Sequence, residues 1–156
     1  MLQRIMVPLD GSELAEKALP YAEALATKFA GELLLVMVIQ TVVVPAVASH
    51  YGEGILIDYP PRERVRQDAH DYLAAVQQRL EAQQLPVRSI ILENESVADA
   101  LIETAGRENV DVIVKTTHGR SGLSRWVFGN VATKVLQGAA CPVFLVRVSD
   151  GGSGAS

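Results

Sequence analysis

The sequence predicts an α/β fold: a single open, Rossmann-like parallel sheet with helices on both faces. Three observations carry this. Aliphatic runs of strand length alternate in regular order with stretches of helical periodicity, the pattern of βαβ units. Those runs are apolar throughout and do not alternate with polar residues, as expected of strands covered on both sides. Apolar residues make up 49% of the chain but aromatics only 5%, so the core is built from Ala, Val, Leu and Ile. The 156 residues amount to one domain on a prior of about 150 residues per domain, and the composition excludes disorder and collagen-like repeats.

Residues 5–9 form a short apolar run that Asp10-Gly11 ends, hence a buried strand followed by a sharp turn. Ser12 is placed to cap a helix whose inward face is Leu14, Ala18, Leu19, Ala22, Leu25, Ala26 and Phe29, with a kink at Pro20. Gly31 is read as the stop, and residues 33–39 as the second strand. From 40 to 61 periodicity is lost among Pro45, Gly52, Gly54, Pro60 and Pro61; a connection of this length is a lid, a partner surface or partly ordered. Residues 62–84 make a long helix with Val65, Ala69, Tyr72, Leu73, Val76 and Leu80 inward. Strand three is 87–92, and Ser96 with Asp99 opens a helix through Ala105 in the manner of a capping box. Strand four is 110–115, a last helix holds 131–136, and strand five covers residues 142–148, opening on Pro142 and ending on Val148. That gives five strands, four helices and right-handed crossovers. The expected domain is 1–148, with a flexible tail over 149–156.

The single cysteine, Cys141, rules out an internal disulfide framework and a multi-cysteine zinc site, and points to a reducing, cytoplasmic setting. No apolar run approaches the roughly 18 to 20 residues of a membrane span, and the N-terminus has no long apolar stretch of the signal-peptide kind. The net charge of −4 argues against a nucleic-acid-coating role. It conceals an uneven distribution: residues 1–111 stand at −8, whereas 112–149 contain no Asp or Glu and carry Lys115, Arg120, Arg125, Lys134 and Arg147. Such a segment is either a chance of composition around a buried strand or an anion site.

In an open parallel sheet, ligands bind beyond the carboxyl ends of the strands, where strand order reverses. Two segments qualify by composition. Leu9-Asp10-Gly11-Ser12 follows strand one, and Thr116-Thr117-His118-Gly119-Arg120-Ser121-Gly122 follows strand four. The second is rich in glycine and hydroxyl groups and holds a guanidinium, as a phosphate-binding loop requires. Gly129-Asn130 supplies a helix N-terminus, with Asn130 read as the N-cap. Histidines 50, 70 and 118 are isolated in sequence, so no metal constellation is legible; His118 is read as a turn residue.

VPLDGSE at 7–13, THGRSGLSRWVFGNVATKVL at 117–136 and CPVFLVR at 141–147 together resemble the universal stress protein family, over residues 2–148. The resemblance implies the strand order 3-2-1-4-5, which sets strands one and four side by side and makes the two loops face each other. Family members that bind ATP carry Gly, two residues, Gly, nine residues, Gly, then Ser or Thr. Gly119 and Gly129 fit the second and third glycines, whereas Thr116 stands at the first and Asn130 at the hydroxyl position. A β-branched Thr116 is expected to crowd the phosphates.

By the same resemblance, the backbone of Pro8, Leu9 and Val38 flanks an adenine and Asp10 lies near adenine and ribose. Thr116, Thr117, His118, Gly119, Arg120, Ser121 and Gly122, with Gly129, Asn130 and Val131, hold ribose and phosphates. The ligand is ATP or another adenine nucleotide, with Mg²⁺ finding Asp10, phosphates and water. Asp10 has a second reading as an Asx-turn residue closing strand one, and Arg120 and Arg125 as solvated loop charges. Trp126 and Phe128 read as the apolar face of a helical turn or a dimer contact. The resemblance implies a stress-response sensor module, dimeric through strand five. The alternatives are a dimeric scaffold without nucleotide and a weak ATPase of the wider nucleotide α-hydrolase-like fold.

Overall fold

A computed structural model of the chain describes residues 1–41, 61–119 and 129–149. Five strands, β1 (Arg4–Leu9), β2 (Glu32–Gln40), β3 (Val87–Asn94), β4 (Val112–Gly119) and β5 (Val143–Ser149), form one parallel sheet in the order β3-β2-β1-β4-β5. The helices are α1 (Glu13–Glu16), α2 (Leu19–Phe29), α3 (Arg62–Glu81), α4 (Val97–Arg107) and α5 (Asn130–Gly138). The expected α/β fold and strand order are therefore the observed ones.

Side chains alternate across each strand, so the sheet has two buried faces. On one, Ile5, Val7, Leu33, Leu35, Val112 and Val114 pack against Ala18, Leu19 and Ala22 at the start of α2 and Leu73, Val76 and Leu80 of α3. On the other, Met6, Leu34, Val36 and Ile113 meet Ala98, Leu101 and Ala105 of α4 and Val135 of α5. Burying about a dozen such side chains completely, Leu33, Leu34, Leu35 and Ile113 among them, is the principal favourable term, at about 1.5–3 kcal/mol each.

Several local expectations change. The helix after Ser12 is divided: α1 ends at Glu16 with Lys17 as its C-cap, α2 begins at Leu19, and Pro20 lies in the first turn of α2, where an N–H has no helical partner to lose. Five helices result among the described residues where four were counted. The left-handed residue that ends α2 is Ala30, at φ 52°, and not Gly31. Gly31 is required for space, because a Cβ there would stand 2.6 Å from the Leu2 carbonyl oxygen. Phe29, expected inward, is exposed. Ser96 does cap α4, accepting from the Asp99 N–H at 3.3 Å, while its own N–H goes to Asn94 Oδ1 at 2.9 Å, so only half of a capping box forms. The N-cap of α5 is Gly129; Asn130 is the first helical residue, and no side chain caps the helix.

β4 is the largest difference. It starts at Val112, not Val110, and continues to Gly119, so Thr116, Thr117, His118 and Gly119 are strand residues facing Val146, Arg147, Val148 and Ser149 of β5. His118 is thus not in a turn. β-Branched Thr116 and Thr117 suit a pleated surface, and the β5 partner holds the extension in place.

At the amino edge of the sheet the charges are matched. Asp111 Oδ2 accepts from the N–H groups of Gln3 and Arg4 at 2.8 and 2.9 Å, and Glu32 pairs with Arg4 and Arg88 at 3.2 and 3.5 Å.

Candidate functional site

Pro8 decides where β1 and β4 part. The Arg4 carbonyl accepts from the Asp111 N–H at 2.9 Å, so Arg4 turns its backbone groups toward the β4 side. Residues two and four further on, Met6 and Pro8, face the same way. Pro8 has no N–H to give, and the β1–β4 ladder, Ile5↔Val112 and Met6↔Ile113, ends before it. On the other side, β1 pairs with β2 as far as Leu9↔Met37. The break in pairing thus falls at the junction where strand order reverses.

Beyond it the chain turns at Asp10. Gly11 takes φ +84°, a conformation that glycine adopts without a side-chain penalty. Asp10 Oδ1 accepts from the Ser12 N–H at 2.9 Å and from the Ser12 hydroxyl at 2.5 Å, and Ser12 Oγ accepts from the Ala15 N–H at 3.1 Å. One carboxylate thereby closes an Asx turn and fixes the cap of α1, leaving Asp10 itself exposed at the sheet edge. Burial works to raise the Asp10 pKa; the two Ser12 hydrogen bonds and the charge of Lys115 outweigh it and hold the carboxyl below its ordinary value.

Across the junction, Thr116 and Thr117 are buried. Thr116 lies two residues beyond Val114 and level with Val146, both in the core on the α2–α3 face. Its side chain therefore belongs to sheet packing. Val38 lies one residue past Met37 on β2, and Val38 and Val131 of α5 both pack against the core on the α4–α5 face. Gly129 and Asn130 are exposed, no acidic residue occupies the first turn of α5, and among the described residues no side chain caps its leading N–H groups.

The structure accordingly brings Pro8, Leu9, Asp10, Val38, Thr116, Thr117 and the backbone of His118 and Gly119 to the carboxyl edge of the sheet, with Gly129, Asn130 and Val131 opening the helix that packs on one face. Arg120, Ser121, Gly122, Arg125, Trp126 and Phe128 lie outside the described residues, as do 42–60 and the tail from 150. Among the described residues, no group of three or more His, Cys, Asp or Glu side chains could hold a metal ion, and no helix is long and apolar enough to cross a membrane.

Two features escape the sequence reading. Lys115, counted there only as a charge, is partly buried in β4. Burial pushes its ammonium below the ordinary lysine pKa, and the negative charge of Asp10 opposes the shift. The visible signal is a lysine closing the aliphatic run VIVK at the switch point. Glu16 is the second: it accepts from the Tyr72 hydroxyl at 2.9 Å and from Arg79 at 3.0 Å, tying α1 to α3. No sequence spacing announces that contact, which spans 56 and 63 residues.

An open five-stranded parallel sheet of order 3-2-1-4-5 with a turn and a helix N-terminus at its switch point defines a Rossmann-like α/β protein. The sequence profile of the universal stress protein family matches residues 1–147, and the chain belongs to that family. A universal stress protein of Methanocaldococcus jannaschii is 29% identical over 150 residues, covering 94% of this chain and 83% of its own. A family structure from Burkholderia pseudomallei superposes with a TM-score of 0.67 at 26% identity, covering 93% of this chain and 96% of that one. Two more distant structures share the fold: a universal stress protein in complex with cAMP (TM-score 0.69, 18% identity, 95% and 98% covered) and one from Archaeoglobus fulgidus in complex with dAMP (0.63, 17%, 93% and 98%).

Proposed function

We propose that this chain binds an adenine nucleotide at the carboxyl edge of β1 and β4 and works as a cytoplasmic stress-response module whose output is a bound state, not a chemical product. The observation that carries the reading is the junction itself. Pro8 ends the β1–β4 ladder, and the positions beyond it hold Asp10, the cationic Lys115 and, on one face, the uncapped N-terminus of α5. The complexes of two relatives with cAMP and dAMP support an adenine ligand.

In this reading, Pro8, Leu9 and Val38 wall the adenine with backbone and aliphatic surface, and Asp10 meets base and ribose. The strand end from Thr116 to Gly119, the segment Arg120 to Gly122, and Gly129 with Asn130 and Val131 take ribose and phosphates, ATP being the fullest occupant. Helix N–H groups and partial positive charge favour an anion there. Nucleotide acts through its differential affinity for two states of the chain.

A homodimer through β5 belongs to the same proposal. β5 is a sheet edge, and beside it Tyr21 and Phe144 are both exposed with ring centroids 5.8 Å apart, apolar surface that a second copy would cover.

Denaturing the purified protein and identifying any released nucleotide by chromatography tests the reading, followed by calorimetry with ATP and AMP on wild type and Gly119→Glu. Bound nucleotide, or heat that Gly119→Glu abolishes, is expected. No released nucleotide and no heat at millimolar ligand would favour the nucleotide-free scaffold, and steady phosphate release lost in Asp10→Ala would favour an ATPase. Sedimentation with Phe144→Asp tests the dimer.

A further inference from the structure

We infer that Lys115 supplies the positive charge facing the phosphates of the bound nucleotide, and that it stands in place of a divalent cation, so that this member takes its ligand free of metal. The inference rests on the adenine-nucleotide reading above.

The geometry begins with register. Met6 is level with Ile113 where the ladder ends; Lys115 lies two residues further along β4, on the carboxyl side toward which β1 runs out at Asp10, and the charges of Lys115 and Asp10 act on each other. The four-carbon stem of a lysine is long enough to bring its ammonium to that edge. Alternation puts Lys115 on the face of Ile113, the side covered by α4 and α5, against which Val38 and Val131 also pack. The lysine therefore rises on the same side of the sheet as the uncapped N-terminus of α5.

Lys115 is partly buried, yet it makes no hydrogen bond and no ion pair with any described residue. By contrast, the arginines Arg4, Arg66, Arg79, Arg88 and Arg107 all pair with glutamates. A desolvated ammonium that no described residue hydrogen-bonds is costly, and an arriving anion relieves that cost. The lowered pKa of Lys115 agrees with such a position.

The donor set around Asp10 does not fit Mg²⁺. That ion demands near-octahedral oxygen ligands, commonly one or two carboxylates with phosphates and water. Asp10 Oδ1 already accepts two donors from Ser12, which leaves at most a single oxygen of this carboxylate for a metal. Of the two carboxylates of α1, Glu16 is taken by Tyr72 and Arg79, and Glu13 is exposed to solvent. The charge of Lys115 acts on Asp10, and a second cation entering there would face the lysine's repulsion.

Calorimetry of the full chain with ATP and with adenosine, each in EDTA and in excess Mg²⁺, tests this on wild type, Lys115→Met and Lys115→Arg. ATP should bind wild type at least as tightly in EDTA as in Mg²⁺. Lys115→Met should weaken ATP in EDTA by about tenfold or more and leave adenosine within about threefold, while Lys115→Arg keeps most of the ATP affinity. The wild-type comparison needs no variant to fold, and circular dichroism melts check that the variants do. Wild type that binds ATP only with Mg²⁺, or Lys115→Met that weakens adenosine as much as ATP, overturns the inference and leaves the nucleotide reading standing. No heat with either ligand in either buffer overturns both.

Discussion

Replacing Thr116 by glycine restores the residue that ATP-binding family members carry, and two opposite outcomes are arguable. If the side chain crowded the phosphates, the glycine would bind nucleotide more tightly at little structural cost. The structure argues the other way. Thr116 is 7% exposed, lies two residues beyond Val114 on the same face, and is level with buried Val146 of β5. Its methyl group is packed in the sheet, and removing it forfeits about 0.8 kcal/mol of burial. A glycine inside a strand costs about 0.5–1 kcal/mol more in backbone entropy. Thr116→Gly should therefore destabilise by about 1.3–1.8 kcal/mol, read as a lower urea midpoint at unchanged slope and a fall in Tm of roughly 3–7 °C. ATP affinity measured by calorimetry should stay within about threefold. A tenfold gain in affinity with stability unchanged would show that the threonine points at the ligand, and the packing argument would be wrong.

Three other perturbations test the frame that holds the site. Leu101 of α4 is 1% exposed in the core beneath the α4–α5 face, so Leu101→Ala should cost about 2–5 kcal/mol in urea denaturation; a loss below about 1 would mean that α4 is not seated there. Tyr72→Phe removes the hydroxyl that donates to Glu16 but leaves Arg79 on the same carboxylate, so about 1 kcal/mol should be lost; an unchanged urea midpoint would dissolve the α1–α3 tie. The backbone N–H groups of Arg4 and Gln3 hold the Asp111 carboxyl below its ordinary value. A carboxyl so depressed contributes stability that is present above the unfolded pKa of about 3.9 and is lost as pH falls through the folded one. Unfolding followed from pH 6 downward should show this acid-side loss in wild type and a shallower one in Asp111→Asn; parallel curves would refute it.

The frame was legible because burial on two faces leaves a strong mark. A run such as Leu33 to Val36, fully buried between two helical layers, can hardly be written except in aliphatic residues, and β1, β2, β3 and β5 fall within two residues of their expected bounds. β4 misled for a physical reason. Its last four residues, Thr116, Thr117, His118 and Gly119, have loop composition, yet pairing with β5 keeps them extended, and that pairing is a long-range fact which no window of sequence carries. The break at Lys17 and Ala18 and the left-handed Ala30 are likewise choices of packing. The switch point was found through Asp10-Gly11-Ser12 because turn chemistry is local. Lys115 was overlooked because a single charge in an aliphatic run has no meaning until the neighbouring strand, and Asp10 at its end, are known.

The two sides of the junction are held in different ways, and this bears on how binding could be read out. The β1 side is braced before any ligand arrives: Ser12 satisfies Asp10 and caps α1, and Glu16 fastens α1 to Tyr72 and Arg79 of α3. Little free energy is released or consumed there when a ligand docks, because its polar groups already have partners. On the other side, among the described residues, no side chain caps α5 and none hydrogen-bonds or ion-pairs with Lys115. Those are the groups whose free energy an anion changes most, since each passes from unpartnered to charge-assisted. The differential affinity that a binding module needs must then arise on the β4–α5 side. β4 also pairs with the edge strand β5 along seven residues from Ile113 to Gly119, so if the proposed nucleotide and dimer sites are right, a change at the first has a short path to the second.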